Sequence, residues 1–341
     1  MLQTFLHQDE LRGTGMPIKM KVCNVADYNE SLKKRGKVFH LFHEATNVWF
    51  DKKVRKRTKS KFIYSDRLIQ ILAVFRYLFK YPYRQLEGLL EDFVDHQQAN
   101  LPIPDFTTLC RRMKKLSLTI EDHREVNQAK NRGLVDVIID STGINIYHTG
   151  GGHSKENGYF RRYKHHDQVR KMHVALDPES KDVLSMEMSS GSTADSTMAP
   201  ILLAGIDSSI SGVYADGAYD RIKVRQACLD RQAKQIIPPK KNAVIRKAKK
   251  REAPNLWDER NAAIEIIRSQ NNYDEGRKTW KESQSYGKRS LVEAFFSRFK
   301  TIFGFHFMSR NERARQSELA VKVQLLNSYN RFGAAVFKKA V

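Results

Sequence analysis

A chain of 341 residues, 40% of them hydrophobic, is long enough to bury a sizeable core in two or three structural units, which excludes one small domain. Its 60 Lys and Arg against 38 Asp and Glu leave a formal net charge of +22. A merely soluble surface rarely needs such an excess, so a polyanion partner is expected, nucleic acid first and an anionic membrane surface a distant second.

Cys23, Cys110 and Cys228 lie far apart without CxxC spacing, which argues against a disulfide framework or a zinc site and for a reducing compartment. No run approaches the ~18 apolar residues of a membrane span, and the N-terminus lacks a signal-peptide core. A cytoplasmic protein is expected, with Met1–Lys19 weakly structured and Met16 or Met20 as possible true starts.

Residues 1–60 read as an N-terminal arm with a short helix near DYNESLKKRGKV, followed by a basic loop at Lys52–Lys61 with seven cations in ten residues. Residues 61–130 read as a helical domain. Ser65 caps a helix at Asp66–Lys80, Pro82 opens another at Tyr83–Phe93, and a third begins near Asp105. That third helix sets Arg111 and Arg112 on a basic side opposite Phe106, Leu109, Met113 and Leu116. Such a unit is the sequence form of a helix-turn-helix reader, with a plain three-helix bundle as the equal alternative. A connecting helix follows at Leu118–Gln128.

From residue 131 onward the pattern changes to strands. VDVIID at Val135–Asp140 ends in an acid before a turn at Gly143, and KMHVALD and VLSMEM form a hairpin around PESKD. Asp195 heads a helix, and GVYAD at Gly212–Asp216 is another strand ending in an acid. A helix at Asp220–Gln232 and QIIP follow. Residues 238–285 form a basic insertion whose PPKKNAVIRKAKKREAP stretch is either a DNA-facing loop or disordered. Helices at Asp258–Gln270, around Glu293 and at Asn311–Phe337 complete the chain. His148, His153, His165, His166 and His173 have no ligand spacing that supports zinc. Arg161, Arg162, Lys164, Arg170 and Lys171 are read as phosphate contacts, with a solvated loop as a comparable alternative.

The densest stretch is YGKRSLVEAFFSRFK at Tyr286–Lys300. At ~100° per residue, with Arg289 at zero, Glu293 falls near ~40°, Lys300 near ~20° and Tyr286 near ~60°. Leu291, Val292, Phe295, Phe296, Phe299, Ile302 and Phe303 occupy an adjoining arc that pins the helix to a core. One carboxylate beside two cations and a phenol suits metal binding next to a phosphodiester, Glu293 holding the ion while Tyr286, Arg289 and Lys300 hold phosphate. A solvated face of i,i+4 ion pairs is the plainer alternative.

The spacing Tyr286-x2-Arg289-x3-Glu293-x6-Lys300 resembles the signature of bacterial insertion-sequence DDE transposases of the broad superfamily numbered four and five. IIDSTG at Ile138–Gly143 and YADGAYD at Tyr214–Asp220 resemble that family's first and second acidic motifs. The resemblance implies an α/β chain: a ribonuclease-H-like catalytic domain at 131–341 behind an all-α helix-turn-helix-like domain at 61–130 that binds the element's DNA ends. It implies Asp140, Asp216 and Glu293 as catalytic, metal-holding acids, with two Mg²⁺ ions, replaceable by Mn²⁺. The implied partners are double-stranded DNA, as inverted-repeat ends and as target, and a second copy in a homodimer on DNA, at the bacterial nucleoid and away from membranes. Trp280 is a candidate to stack on an unpaired base at the cleaved end, a partly buried core position being the commoner fate of such a residue. The rival functions are a structure-selective nuclease of the same fold and a catalytically dead DNA-binding regulator.

Overall fold

The computed structural model describes residues 20–38, 40–51, 64–116, 134–146, 168–333 and 335–339. The Lys52–Lys61 loop, the helix expected at Leu118–Gln128, four of the five histidines, Arg161, Arg162 and Lys164 lie outside them.

The elements run β1 (Met20–Val22), α1 (Val25–Gly36), α2 (His40–Asn47), α3 (Asp66–Phe79), α4 (Tyr83–His96), α5 (Phe106–Met113), β2 (Leu134–Asn145), β3 (Val169–Leu176) and β4 (Val183–Ser190). Then come α6 (Asp195–Ala204), β5 (Ser209–Tyr214), α7 (Ile222–Asp230), β6 (Lys234–Ile236), α8 (Asp258–Arg268), α9 (Tyr273–Ser283), α10 (Ser290–Phe303), α11 (Glu312–Asn330) and β7 (Phe337–Lys339).

The main sheet has the order β4-β3-β2-β5-β6. Its first three strands are antiparallel, while β5 runs parallel to β2 and β6 parallel to β5. Alternation along the strands divides the core in two. Val135, Val137 and Ile139 of β2 pack with Ile210 and Val213 of β5 against Leu202 and Leu203 of α6 and Val224 of α7. Ile138 and Ile144 of β2 share the opposite face with Tyr214, against Val292, Phe295 and Phe299 of α10 and Leu319, Val323 and Leu326 of α11. Helices therefore cover both faces of a mixed sheet, a ribonuclease-H-like α/β arrangement.

Several expectations need correction. β2 does not turn at Gly143: it stays paired with β3 from Ile138↔Leu176 to Asn145↔Val169, so Asp140 lies within a long strand. The turn tendency of DSTG is overridden by that eight-residue ladder. The final helix stops at Asn330, whose side-chain amide donates to Lys181 O and Asp182 Oδ1, and Gly333 (φ +113°) turns the chain. Phe337–Lys339 then pairs as a strand with Met20–Val22. The YDEGRKTWKES segment is a helix, α9, laid so closely on α8 that a Cβ on Gly276 would stand 2.0 Å from Ile267 O. Only glycine fits there.

The PPKKNAVIRKAKKREAP stretch has no helix or strand, which is the loop of the two alternatives expected, and its backbone is tied down. Arg246 N donates to Asn261 Oδ1 (3.0 Å), Asn261 Nδ2 donates to Arg246 O (2.7 Å), and Arg260 and Arg268 donate to Val244 O and Ala243 O. With its backbone tied to α8, Lys240, Lys241, Arg246, Lys247, Lys249, Lys250 and Arg251 are left exposed.

The N-terminal helices share a core of Phe42, Trp49, Leu68, Leu72, Phe75, Leu86, Leu90, Leu109 and Met113. Ser65 Oγ accepts from Leu68 N, and Asp105 caps α5 through Thr107 N and Thr108 N. One wall of this core is Val321 of α11, and Ser317 Oγ donates to Leu116 O (2.8 Å). A fragment ending near Gln128 would lose that wall. On α5, Arg111 is exposed, whereas Arg112 is tied to Asp66 of α3 at 2.8 Å.

Candidate active site

Three acids meet where β2, the end of β5 and α10 come together. The register Ile138↔Tyr214 sets the residues two positions on, Asp140 and Asp216, at one level on neighbouring lines of chain. Period-two alternation turns Asp140 to the same face as Ile138, the face covered by α10. Asp216 caps the 3₁₀ turn Gly217–Tyr219, its Oδ1 accepting from Ala218 N at 2.8 Å. Glu293 lies in the first turn of α10.

Two anchors fix the start of that helix. Tyr286 opens a 3₁₀ turn, Tyr286–Arg289, and its buried hydroxyl donates to Ala215 O (3.1 Å), the residue before Asp216. Lys288 Nζ meets Asp136 Oδ2 of β2 at 2.9 Å, and Asp136 also accepts from Ser211 Oγ. The third acid is thus registered against the first two by bonds to both strands. Neither anchor is visible in helical spacing, because a 3₁₀ turn does not continue the 3.6-residue period.

Arg289 sits among the acids. Nη1 pairs with Asp140 Oδ2 at 2.7 Å and Nη2 with Glu293 Oε1 at 2.5 Å. Burial works against the guanidinium charge, yet Tyr286, Asp140, Glu293 and Asp216 hold its pKa above the usual arginine value. Burial likewise lifts Asp140 above the usual carboxylate range; the Ser141 N–H and Arg289 oppose this, and Asp216 and Glu293 add to it. Asp140 therefore senses both of the other acids electrostatically.

The other residues singled out in the sequence fall elsewhere. Trp280 is 3% exposed, its ring 5.5 Å from that of Tyr286 in the core, and so offers no face to a base. Tyr286 is spent on Ala215, and burial pushes its pKa up to about 12. Lys300 lies two turns beyond Glu293, with Nζ 5.7 Å from the ring of exposed Phe305 and its pKa lowered by burial. Arg170 is paired with Glu312 and Lys171 with Asp195.

Sequence reasoning passed over the environment of His173. It is fully buried on β3; Ser189 gives its hydroxyl hydrogen to Ser190 O, so His173 Nε2–H donates to Ser189 Oγ (2.7 Å). Nδ1 has no hydrogen-bond partner and lies 3.9 Å from Asp195 Oδ1. Burial lowers the imidazole pKa to about 4, Asp195 opposing and Lys171 assisting. Since the folded value is below that of the unfolded chain, His173 favours folding fully above about pH 6.5, and this is lost as pH falls toward about 4. The full effect is about 3 kcal/mol at ~1.36 kcal/mol per unit. Urea midpoints measured from pH 7 to pH 4.5 should fall more steeply for wild type than for His173→Gln; parallel profiles would show that His173 is protonated in the fold.

The donor chemistry suits a divalent cation. Three hard carboxylates carry a mutual repulsion that a cation would relieve, and Asp140, Asp216 and Glu293 are the residues that would hold it. Among the described residues no three His, Cys, Asp or Glu side chains already stand at metal-binding separation.

A mixed sheet in this strand order, covered by helices on both faces, is a ribonuclease-H-like fold. A family model described as a transposase DDE domain matches residues 131–327, more than half of the chain, and a second model of the same description matches 33–149. The chain belongs to the DDE transposases, as an insertion-sequence enzyme. Its family cuts DNA with divalent metal ions, and no helix among the described residues is long and apolar enough to cross a membrane.

Proposed function

We propose that this transposase binds the inverted-repeat ends of its own element, cleaves there, and joins the 3′-hydroxyl ends to target DNA, with Asp140, Asp216 and Glu293 as the catalytic acids. The observation that carries this is the convergence of Asp140 and Glu293 on one guanidinium, with Asp216 level with Asp140. Two bound Mg²⁺ ions, or Mn²⁺ in their place, supply activation of the attacking oxygen and stabilisation of the leaving one.

The chain's own residues do the rest. The strands and the anchored helix carry the acids on one scaffold, so that only side chains need move when metal and DNA arrive. Arg289 grips phosphate near the scissile bond and Lys300 grips it two turns farther along α10, while the exposed cations at 240–251 track the backbone farther out. The α3–α5 unit reads the element's end, Arg111 projecting from α5 and Arg112 braced by Asp66, and the enzyme works on DNA as a homodimer.

The test is strand transfer with pre-cleaved inverted-repeat ends, Mg²⁺ and a supercoiled target. Joined products support the proposal. Cleavage of branched DNA without joining would favour the structure-selective nuclease.

A further inference from the structure

We infer that Arg289 is the resident counter-cation of the acid cluster in the metal-free enzyme, and that a divalent ion must displace it before DNA can be cut. This rests on the three acids holding metal, as proposed above. Its guanidinium forks to Asp140 Oδ2 and Glu293 Oε1, each bond at salt-bridge distance, and its side chain is only 21% exposed.

Carboxylates gathered on a rigid scaffold need positive charge nearby to stay ionised and in place. Arg289 supplies it, and Asp140 and Glu293 face opposite arms of one planar group instead of closing on a common point. That is why no three carboxylates stand ready at metal-binding separation among the described residues. An ion binding Asp140 and Glu293 competes with the guanidinium for the same lone pairs. Once displaced, Arg289 is a two-pronged donor beside the acids, free for a phosphate. One residue thereby serves two states: it guards the acids before metal binds and grips DNA afterward.

Linkage gives the sign. Deleting a competitor tightens metal binding and weakens the metal-free fold, whereas deleting a partner of the bound ion would do the opposite. Lys288 is the matched control, because it lies next in the chain, carries the same charge, and pairs with Asp136 instead.

The experiment is Mn²⁺ titration without DNA, free ion being read by electron paramagnetic resonance, on full-length wild type, Arg289→Gln, Arg289→Lys, Lys288→Gln and Asp140→Asn. Melting in EDTA and in saturating Mn²⁺ accompanies it. Arg289→Gln should bind Mn²⁺ roughly 5- to 100-fold more tightly, the span of ordinary coupling energies, with Arg289→Lys between it and wild type. Lys288→Gln removes a charge and an anchor of α10 but no competitor for the ion, so it should not tighten binding by more than about threefold. Arg289→Gln should also melt lower than wild type in EDTA and recover most of the difference in Mn²⁺.

Unchanged or weaker binding by Arg289→Gln, or equal tightening by Lys288→Gln, overturns the displacement. If Arg289→Gln fails to fold, Arg289→Lys decides by the same criterion. Full Mn²⁺ affinity in Asp140→Asn would instead sink the placement of metal at these acids, a failure distinguishable from the first.

Discussion

Asp140→Asn, Asp216→Asn and Glu293→Gln should each lower Mg²⁺-dependent nicking of inverted-repeat DNA by on the order of 10³-fold or more. Metal-assisted charge stabilisation contributes several kcal/mol and each ~1.36 kcal/mol is tenfold in rate. Gel-shift affinity should stay within about threefold, because phosphate contacts spread over a strongly basic chain supply binding. These isosteres also keep the local structure. Asn at 216 still caps the Gly217–Tyr219 turn, and the amide oxygen of Asn at 140 still accepts from Ser141 N, now 2.8 Å from Asp140 Oδ1. Glu293→Gln leaves Arg289 its bond to Asp140. Loss of activity in these variants would therefore report chemistry and not unfolding, which circular dichroism checks on the same samples. Near-normal nicking by any one of them removes that residue from the site.

The parts of this fold that could be read in the sequence are those with a period. The arc from Val292 to Phe303 is buried as a 3.6-residue repeat requires, and the KMHVALD and VLSMEM runs pair as the hairpin their alternation suggests. The three acids were picked out by the resemblance of their flanking motifs to a known signature, and not by a period. What failed were places where distant contacts overrule local tendency. DSTG stays extended because β3 pairs along it, and Tyr286 turns inward because Ala215 O awaits its hydroxyl. Trp280, in a helix of otherwise polar composition, takes instead the buried place that was the commoner expectation for it. The strands at the two ends of the described chain are three residues each and more than 300 positions apart, too short for any periodic signal. The ion pair of Arg289 with Glu293 was legible as an i,i+4 spacing, but its second arm, to Asp140, belongs to the tertiary structure.

The largest stability effect is expected from Glu318, a residue with no sequence mark of burial. An i,i+4 Glu–Lys pair on a helix normally faces water, yet Glu318 and Lys322 are both essentially inaccessible, 2.5 Å apart. Glu318 also accepts from Met308 N (3.0 Å) and Ser309 N (2.8 Å), so its carboxylate satisfies three donors. Lys322 Nζ is enclosed by the rings of Tyr77, Phe299 and Phe303, at 5.6, 5.9 and 5.5 Å, and burial lowers its pKa. The pair thus lies between the N-terminal helical core, to which Tyr77 belongs, and the α10 layer of the sheet. Replacing Glu318 by Leu orphans two backbone N–H groups and leaves an ammonium without a counter-charge, which should cost about 3–5 kcal/mol. Lys322→Met should cost less, since its carboxylate partner keeps two donors and thioether sulfur packs well among aromatic rings. The comparison is urea unfolding at pH 7 of the two single variants against wild type. The order matters more than the size: if Lys322→Met proves the more damaging, Glu318 is held by its cation and not by the loop. That loop continues the chain from α10, where Phe307 N donates to Asn145 O and Asn145 N to Phe305 O at the end of β2. Loosening Glu318 should therefore disturb the strand that carries Asp140, and cleavage by Glu318→Leu should fall at temperatures well below its own unfolding midpoint.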